Sequence, residues 1–224
     1  MSTGLRATGT GLLGLLVFGL ALFLPAGTFA YWQAWAFIAV FIVSTSVPGV
    51  YLALKHPAAL ERRMHAGPAA ETRMVQKVII SGALLSLPAV MVFSALDHRS
   101  GWSPVPTAVS VCGEVLVALG LGFAMLVVIQ NSYAAANVIV EEDQKVISTG
   151  LYGIVRHPMY VGTLIMTIGI PLALGSWWGL SILLPVVAGL VLRILDEEQL
   201  LTQELAGYRE YRRKVHYRLV PYVW

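Results

Sequence analysis

Apolar runs close to the length of a membrane crossing recur along this chain, separated by short polar stretches. In hydrocarbon only a helix or a closed barrel satisfies every backbone N–H and C=O, and runs of roughly 20 apolar residues specify the helix. Four runs are read at residues 11–26, 35–54, 78–96 and 105–129, and two shorter ones at 159–174 and 180–195. The sequence is 57% hydrophobic and 12% charged, about half the charged share of a soluble domain. The expected fold is all-α: a polytopic helical membrane protein with five to six transmembrane helices. The last two are read as a hairpin, followed by a cytoplasmic C-terminal amphipathic helix.

The polar stretches set the expected orientation. Arg6 precedes the first run, which reads as a retained helix, with a signal peptide as the alternative. Tyr31, Trp32 and Trp35 form an interfacial aromatic belt, and Pro48-Gly49 kinks the second run. Lys55, Arg62, Arg63, Arg73 and Lys77 put the first long connection in the cytoplasm, with a short interfacial helix starting at Pro57. A tight turn from Asp97 to Pro104 lies on the other side. Residues 130–157 return to the cytoplasm. Their segment 137–148 is read as a small hairpin, or as a solvated loop carrying Glu141, Glu142 and Asp143. Both termini are then cytoplasmic. The net charge of +3 resides in these loops, which speaks to lipid headgroups and not to nucleic acid. The lone Cys112 reads as a small buried apolar residue. The five histidines are scattered without metal-ligand spacing.

Polar residues with no role in solubility gather at the cytoplasmic ends of the last apolar segments. Arg156 and His157 stand before Pro158, which fits the first turn of a helix, and Tyr152 and Tyr160 flank them. Such a helix start carries free N–H groups and partial positive charge, suited to a carboxylate or phosphate. A juxtamembrane anchor is the alternative. Arg193 lies at the edge of an apolar helix, where an ionisable group is costly; it could pair with Glu197 one turn on or snorkel. Glu197, Glu198, Tyr208, Tyr211 and Arg218 follow. Cations and anions around one spot suit a zwitterion such as S-adenosylmethionine, with Arg156 or Arg218 on its carboxylate and Glu197 or Glu198 near its ammonium. Methyl displacement needs alignment more than covalent help. No Rossmann glycine fingerprint is present. Asn131, Ser132 and Tyr133 either cap the fourth span or reach an acceptor headgroup; the cap is preferred.

The tract Ser148-Thr149-Gly150-Leu151-Tyr152, followed by Val155-Arg156-His157-Pro158-Met159-Tyr160 and Gly162, resembles the isoprenylcysteine carboxyl methyltransferases and bacterial phospholipid N-methyltransferases. Arg193, Glu197, Glu198, Leu201, Tyr208 and Tyr211 match that family's second motif. The spacing before Tyr208, Leu205-Ala206-Gly207, is about one residue shorter than the family's. The resemblance covers roughly the last third of the chain. It implies a membrane methyltransferase using S-adenosylmethionine, with a lipophilic methyl acceptor arriving from the bilayer and no metal. It divides the chain into a four-span region, 1–130, and a C-terminal cofactor-binding region, 131–224, within one membrane domain. It implies cofactor contacts from Tyr152, Arg156, His157, Tyr160, Glu198, Tyr208, Tyr211 and Arg218. Arg193, Glu197 and Glu198 are the implied catalytic residues, near the junction with the acceptor. The tail from Val215 to Tyr222 is also similar to the C-terminal end of membrane sterol reductases, which implies NADPH instead. A lipid-binding protein without catalysis is the third reading.

Overall fold

The computed structural model describes residues 3–65, 67–71, 73–134, 140 and 144–224. These residues form helices and turns, with no strand among them. Four long helices carry most of the apolar sequence: α2 (Trp32–Lys55), α4 (Met74–Ser100), α5 (Thr107–Gln130) and α7 (Leu183–Glu204). With the 3₁₀ turn Trp178–Ile182 counted into the last, each is long and apolar enough to cross a membrane. The apolar part of α1 (Thr3–Ala26) and all of α6 (Pro158–Ala173) are shorter. Two short helices complete the order, α3 (Pro57–Met64) and α8 (Tyr208–Lys214). Half of the hairpin expected over 137–148, residues 137–139 and 141–143, lies outside the described residues.

The tightest packing is between antiparallel α5 and α6, and glycine makes it possible. Gly113 and Gly120 lie seven residues apart on α5, as do Gly162 and Gly169 on α6. A Cβ on Gly120 would stand 2.6 Å from the Met166 backbone nitrogen, and one on Gly169 2.8 Å from the Gly113 carbonyl. The two backbones therefore touch where side chains would otherwise hold them apart, the small-residue mode of membrane helix association. α6 thus packs chiefly on α5, while α7 packs on α4, as does α1. The expected pairing of the last two apolar segments is a chain connection more than a packing unit.

One end of the bundle is closed by a buried carboxylate. α4 runs through Asp97 to Ser100 and stops only at Gly101, which takes the left-handed conformation (φ 63°), so the turn begins four residues later than the sequence suggests. Asp97 accepts hydrogen bonds from the Ser103 N–H (2.9 Å) and from the Ser103 and Ser176 hydroxyls. This ties the α4–α5 and α6–α7 turns together. Trp32, Trp35, Trp102, Trp177 and Trp178 are exposed around this end, as an interfacial belt would be. Tyr31 is no part of that belt: it is fully buried and donates to the Leu174 carbonyl at 2.5 Å. Cys112 is also corrected, since it faces outward from α5.

The opposite end carries the polar loops. Arg73 of the first connection pairs with Asp196 at 2.7 Å, so that connection and the end of α7 share one face. The acidic stretch from Asp196 is no separate helix; α7 is continuous through it. With 3.6 residues per turn, the helix simply continues beyond its apolar part and presents Glu197 and Glu198 at this face.

Candidate active site

The start of α6 is placed by two hydrogen-bonded clamps. On one side, Gln130 at the end of α5 holds the 3₁₀ turn Gly150–Gly153: its Nε2 donates to the Thr149 carbonyl (2.5 Å), and its Oε1 accepts from the Leu151 N–H (3.1 Å). Gly150 has φ 57°, and a Cβ there would fall 2.0 Å from that side-chain nitrogen, so only glycine serves. On the other side, the N–H groups of Arg156 and His157 donate to the carbonyls of Tyr217 and Arg218, at 2.9 and 3.0 Å. The C-terminal segment is folded back in turn, with the Arg218 and Leu219 N–H groups on the Trp224 carbonyl.

The Arg156 guanidinium belongs to this clamp. It is 7% exposed. Its Nε donates to Glu198 Oε1 at 2.6 Å, and its Nη1 to the carbonyls of Val215 and His216. Glu198, 3% exposed, also accepts from Arg218 Nε at 3.1 Å and lies 3.3 Å from His157 Nε2. A buried carboxylate with this many cationic and hydrogen-bonding neighbours is well compensated, and removing one member leaves the others uncompensated.

Glu197 points elsewhere. Its Oε2 accepts from the Tyr160 hydroxyl at 2.6 Å, and the Tyr160 oxygen accepts from Arg193 Nε at 2.9 Å. Arg193 is held by Gln76 Oε1 at 2.8 Å and by Glu71 at 3.3 Å. Glu71 and Gln76 are both buried; the sequence reading did not single them out. Their only signal was polarity at the entry of a membrane helix.

Tyr152, His157, Tyr160, Glu197, Tyr208 and Tyr211 line one cleft, open to solvent. Arg156 borders it, and Lys145, Val146, Leu201 and Leu205 contribute further wall. Asn131 and Tyr133 also line it. Asn131 caps α5 through its N–H on the Val127 carbonyl, while its side chain donates to the Tyr152 hydroxyl at 3.1 Å and accepts from the Tyr133 N–H. Burial pushes the Tyr152 phenol up to about 12, although the Asn131 hydrogen bond opposes it. Burial likewise holds Tyr208 and Tyr211 well above the ordinary phenol range, so all three are neutral phenols at physiological pH. Tyr211 donates to the Tyr152 carbonyl at 2.8 Å. The Tyr208 hydroxyl is buried and has no hydrogen-bond partner among the described residues, a group left for something in the cleft to satisfy.

Three residues from the sequence analysis do not line the cleft. Glu198 and Arg218 lie on the other side of α7, and Arg193 reaches the cleft through Tyr160. The fold and the site together define a helical membrane protein with a polar, aromatic-walled cleft where its apolar helices end at one face. Residues 109–208 match the model of the phospholipid methyltransferase family. The matched stretch runs from the start of α5 to Tyr208, across α6, α7 and most of the cleft wall. The resemblance of the Arg156–Tyr160 motif to that family is thereby shown. The chain is also similar to the Delta(14)-sterol reductase of Mus musculus, 38% identical over 88 residues, 36% of this chain and 20% of that protein. The chain thus spans about a fifth of that relative's length.

Proposed function

We propose that this protein is an integral-membrane methyltransferase that uses S-adenosylmethionine and moves its methyl group to a lipophilic acceptor. The acceptor is a lipid amine or a prenyl-cysteine-like carboxylate, reached at the cytoplasmic face. The observation that carries this reading is the cleft itself. It lies largely in the stretch matched by the phospholipid methyltransferase family, and it offers a phenol unpartnered among the described residues, a carboxylate and apolar walls within one volume. The residues fit the cofactor's chemistry. Glu197 suits its ammonium group. Lys145 and the positive end of α6 suit its carboxylate. Leu201, Leu205 and Tyr208 suit its ring system, with the Tyr208 hydroxyl free for a ring nitrogen. Once bound, the cofactor supplies an electrophilic methyl carbon. The protein's own contribution is then to orient and to exclude water, with Tyr160 holding Glu197 in place and Arg156 holding the cleft wall shut behind it.

A second reading, an NAD(P)H-dependent reductase, is favoured by the likeness to the sterol reductase. One measurement separates the two: thermal unfolding of the detergent-purified protein with S-adenosylhomocysteine or NADPH. Stabilisation by S-adenosylhomocysteine alone is expected. Stabilisation by NADPH alone would replace the methyltransferase with the reductase, and a response to neither would remove both.

A further inference from the structure

On the side of α7 away from the cleft lies a second groove, lined by Gln199, Thr202, Gln203, Arg209, Arg212 and Arg218. Three guanidiniums and one carboxylate, Glu198, face it, so the described lining carries two positive charges in excess. Thr202 sets two of the arginines side by side. Its hydroxyl accepts from Arg212 Nη1 at 3.1 Å and its carbonyl from Arg209 Nε at 3.3 Å. Arg212 Nη2 also lies 4.0 Å from Glu198 Oε2, which Arg218 Nε contacts at 3.1 Å. Each guanidinium has five donors, so several on each remain outside these contacts. Planar forks of donors beside neutral amides are the chemistry that recognises a phosphate.

The groove's position says which phosphate. Leu195 forms its upper edge. Leu195 and, one turn higher, Leu192 are 46% and 58% exposed on the helix that crosses the bilayer. Beyond Arg218 the chain turns back with Val220, Tyr222 and Val223 exposed as well. Arginines therefore meet an uncovered apolar surface at the level where α7 leaves the apolar zone, which is where headgroup phosphates lie. A soluble phosphate has no use for that apolar rim. A lipid occupies both parts.

We propose that this groove binds the phosphodiester of an anionic phospholipid, with its acyl chains laid along Leu192 and Leu195. The site is separate from the cofactor cleft and does not depend on which cofactor the cleft takes.

The test uses the full-length protein in a non-ionic detergent and reads thermal unfolding with three probes: short-chain phosphatidylglycerol, phosphatidylcholine with the same chains, and inorganic phosphate. Phosphatidylglycerol is expected to raise the Tm, phosphatidylcholine to raise it less, and phosphate at equal concentration to leave it unchanged. The double variant Arg209→Gln/Arg212→Gln should lose the phosphatidylglycerol response. Gln203→Glu, which adds a carboxylate at an exposed groove position, should weaken it about tenfold and keeps the protein testable if the double variant misfolds. S-adenosylhomocysteine, run in parallel on each protein, reports on the cleft alone, so its failure in the wild type counts against the methyltransferase and not against the groove. The proposal is overturned by a phosphate response equal to the lipid's, by no lipid response, or by a lipid response that both variants retain.

Discussion

Glu197 and Glu198 are neighbours in the chain, yet the fold gives them opposite surroundings. Successive residues on a helix point about 100° apart, and here that angle separates a cleft from a buried ion cluster. Glu198 is closed in by Arg156, Arg218 and His157, with its side chain 4% exposed, against 21% for Glu197. Replacing Glu198 with Gln removes the carboxylate charge that pairs with both Arg156 and Arg218. Breaking a buried pair of this kind costs up to about 3–5 kcal/mol, so Glu198→Gln should lower the Tm sharply, with any loss of ligand binding following from that. Glu197→Gln should leave the Tm nearly unchanged and weaken S-adenosylhomocysteine by about 10- to 100-fold, the worth of one hydrogen bond to a charged group. Calorimetric titration and thermal unfolding on the two variants decide the matter, and the reverse pattern would exchange the roles. The residue types at this site were legible in the sequence, because ionisable side chains at the end of an apolar helix stand out. Which of two adjacent carboxylates faces the cleft was not, since it depends on what α7 packs against.

At the scale of elements, the pairing of α5 with α6 fixes the site, because the loop between them supplies Tyr133, Lys145 and Tyr152 to the cleft wall. The contact rests on backbone. A Cβ at Gly120 would lie 2.6 Å from the Met166 nitrogen and 2.7 Å from the Gly162 carbonyl, and neither atom can swing aside as a side chain would. Gly120→Ala is therefore expected to push the helices apart at a cost of about 1–3 kcal/mol, with a lower Tm and weaker S-adenosylhomocysteine binding. Gly122, two residues on, has nothing within 4 Å of its would-be Cβ. Gly122→Ala should be neutral or slightly stabilising, since alanine is the better helix former. Equal changes in the two variants would mean that close approach does not govern this pair. The four glycines at seven-residue spacing were present in the sequence, but a glycine in an apolar run does not declare its partner. The apolar runs located α2, α4 and α5 to within about four residues but missed the polar last nine of α7, and the seam between α5 and α6 depended on small residues that hydropathy passes over.

At the scale of the whole molecule, the distribution of charge predicts an orientation. The ion pair of Arg73 with Asp196 and the hydrogen bond of Arg193 to Gln76 join the first polar connection to the end of α7, so the basic residues of that connection and those of α8 stand on one face. The face closed by Asp97 has Arg99 and an exposed set of tryptophans instead. Hydropathy suggested five to six crossings, of which four correspond to helices long and apolar enough to cross a membrane, and the clustered cations suggested which loops lie together. The return of the C-terminal segment onto Arg156 was invisible, because its contacts join residues some 60 positions apart with no local pattern to announce them. The positive-inside rule predicts that the cleft face is cytoplasmic, where the cofactor proposed above would reach it. In a Cys112→Ser background, a cysteine at Gln203 should react with a membrane-impermeant maleimide only after the membrane is opened, and one at Thr107 should react in intact cells. Both positions are exposed at opposite ends of the bundle. Labelling of Gln203→Cys in intact cells would invert the protein, place the cleft away from the cytoplasmic cofactor pool, and so count against the methyltransferase by a route independent of any binding measurement.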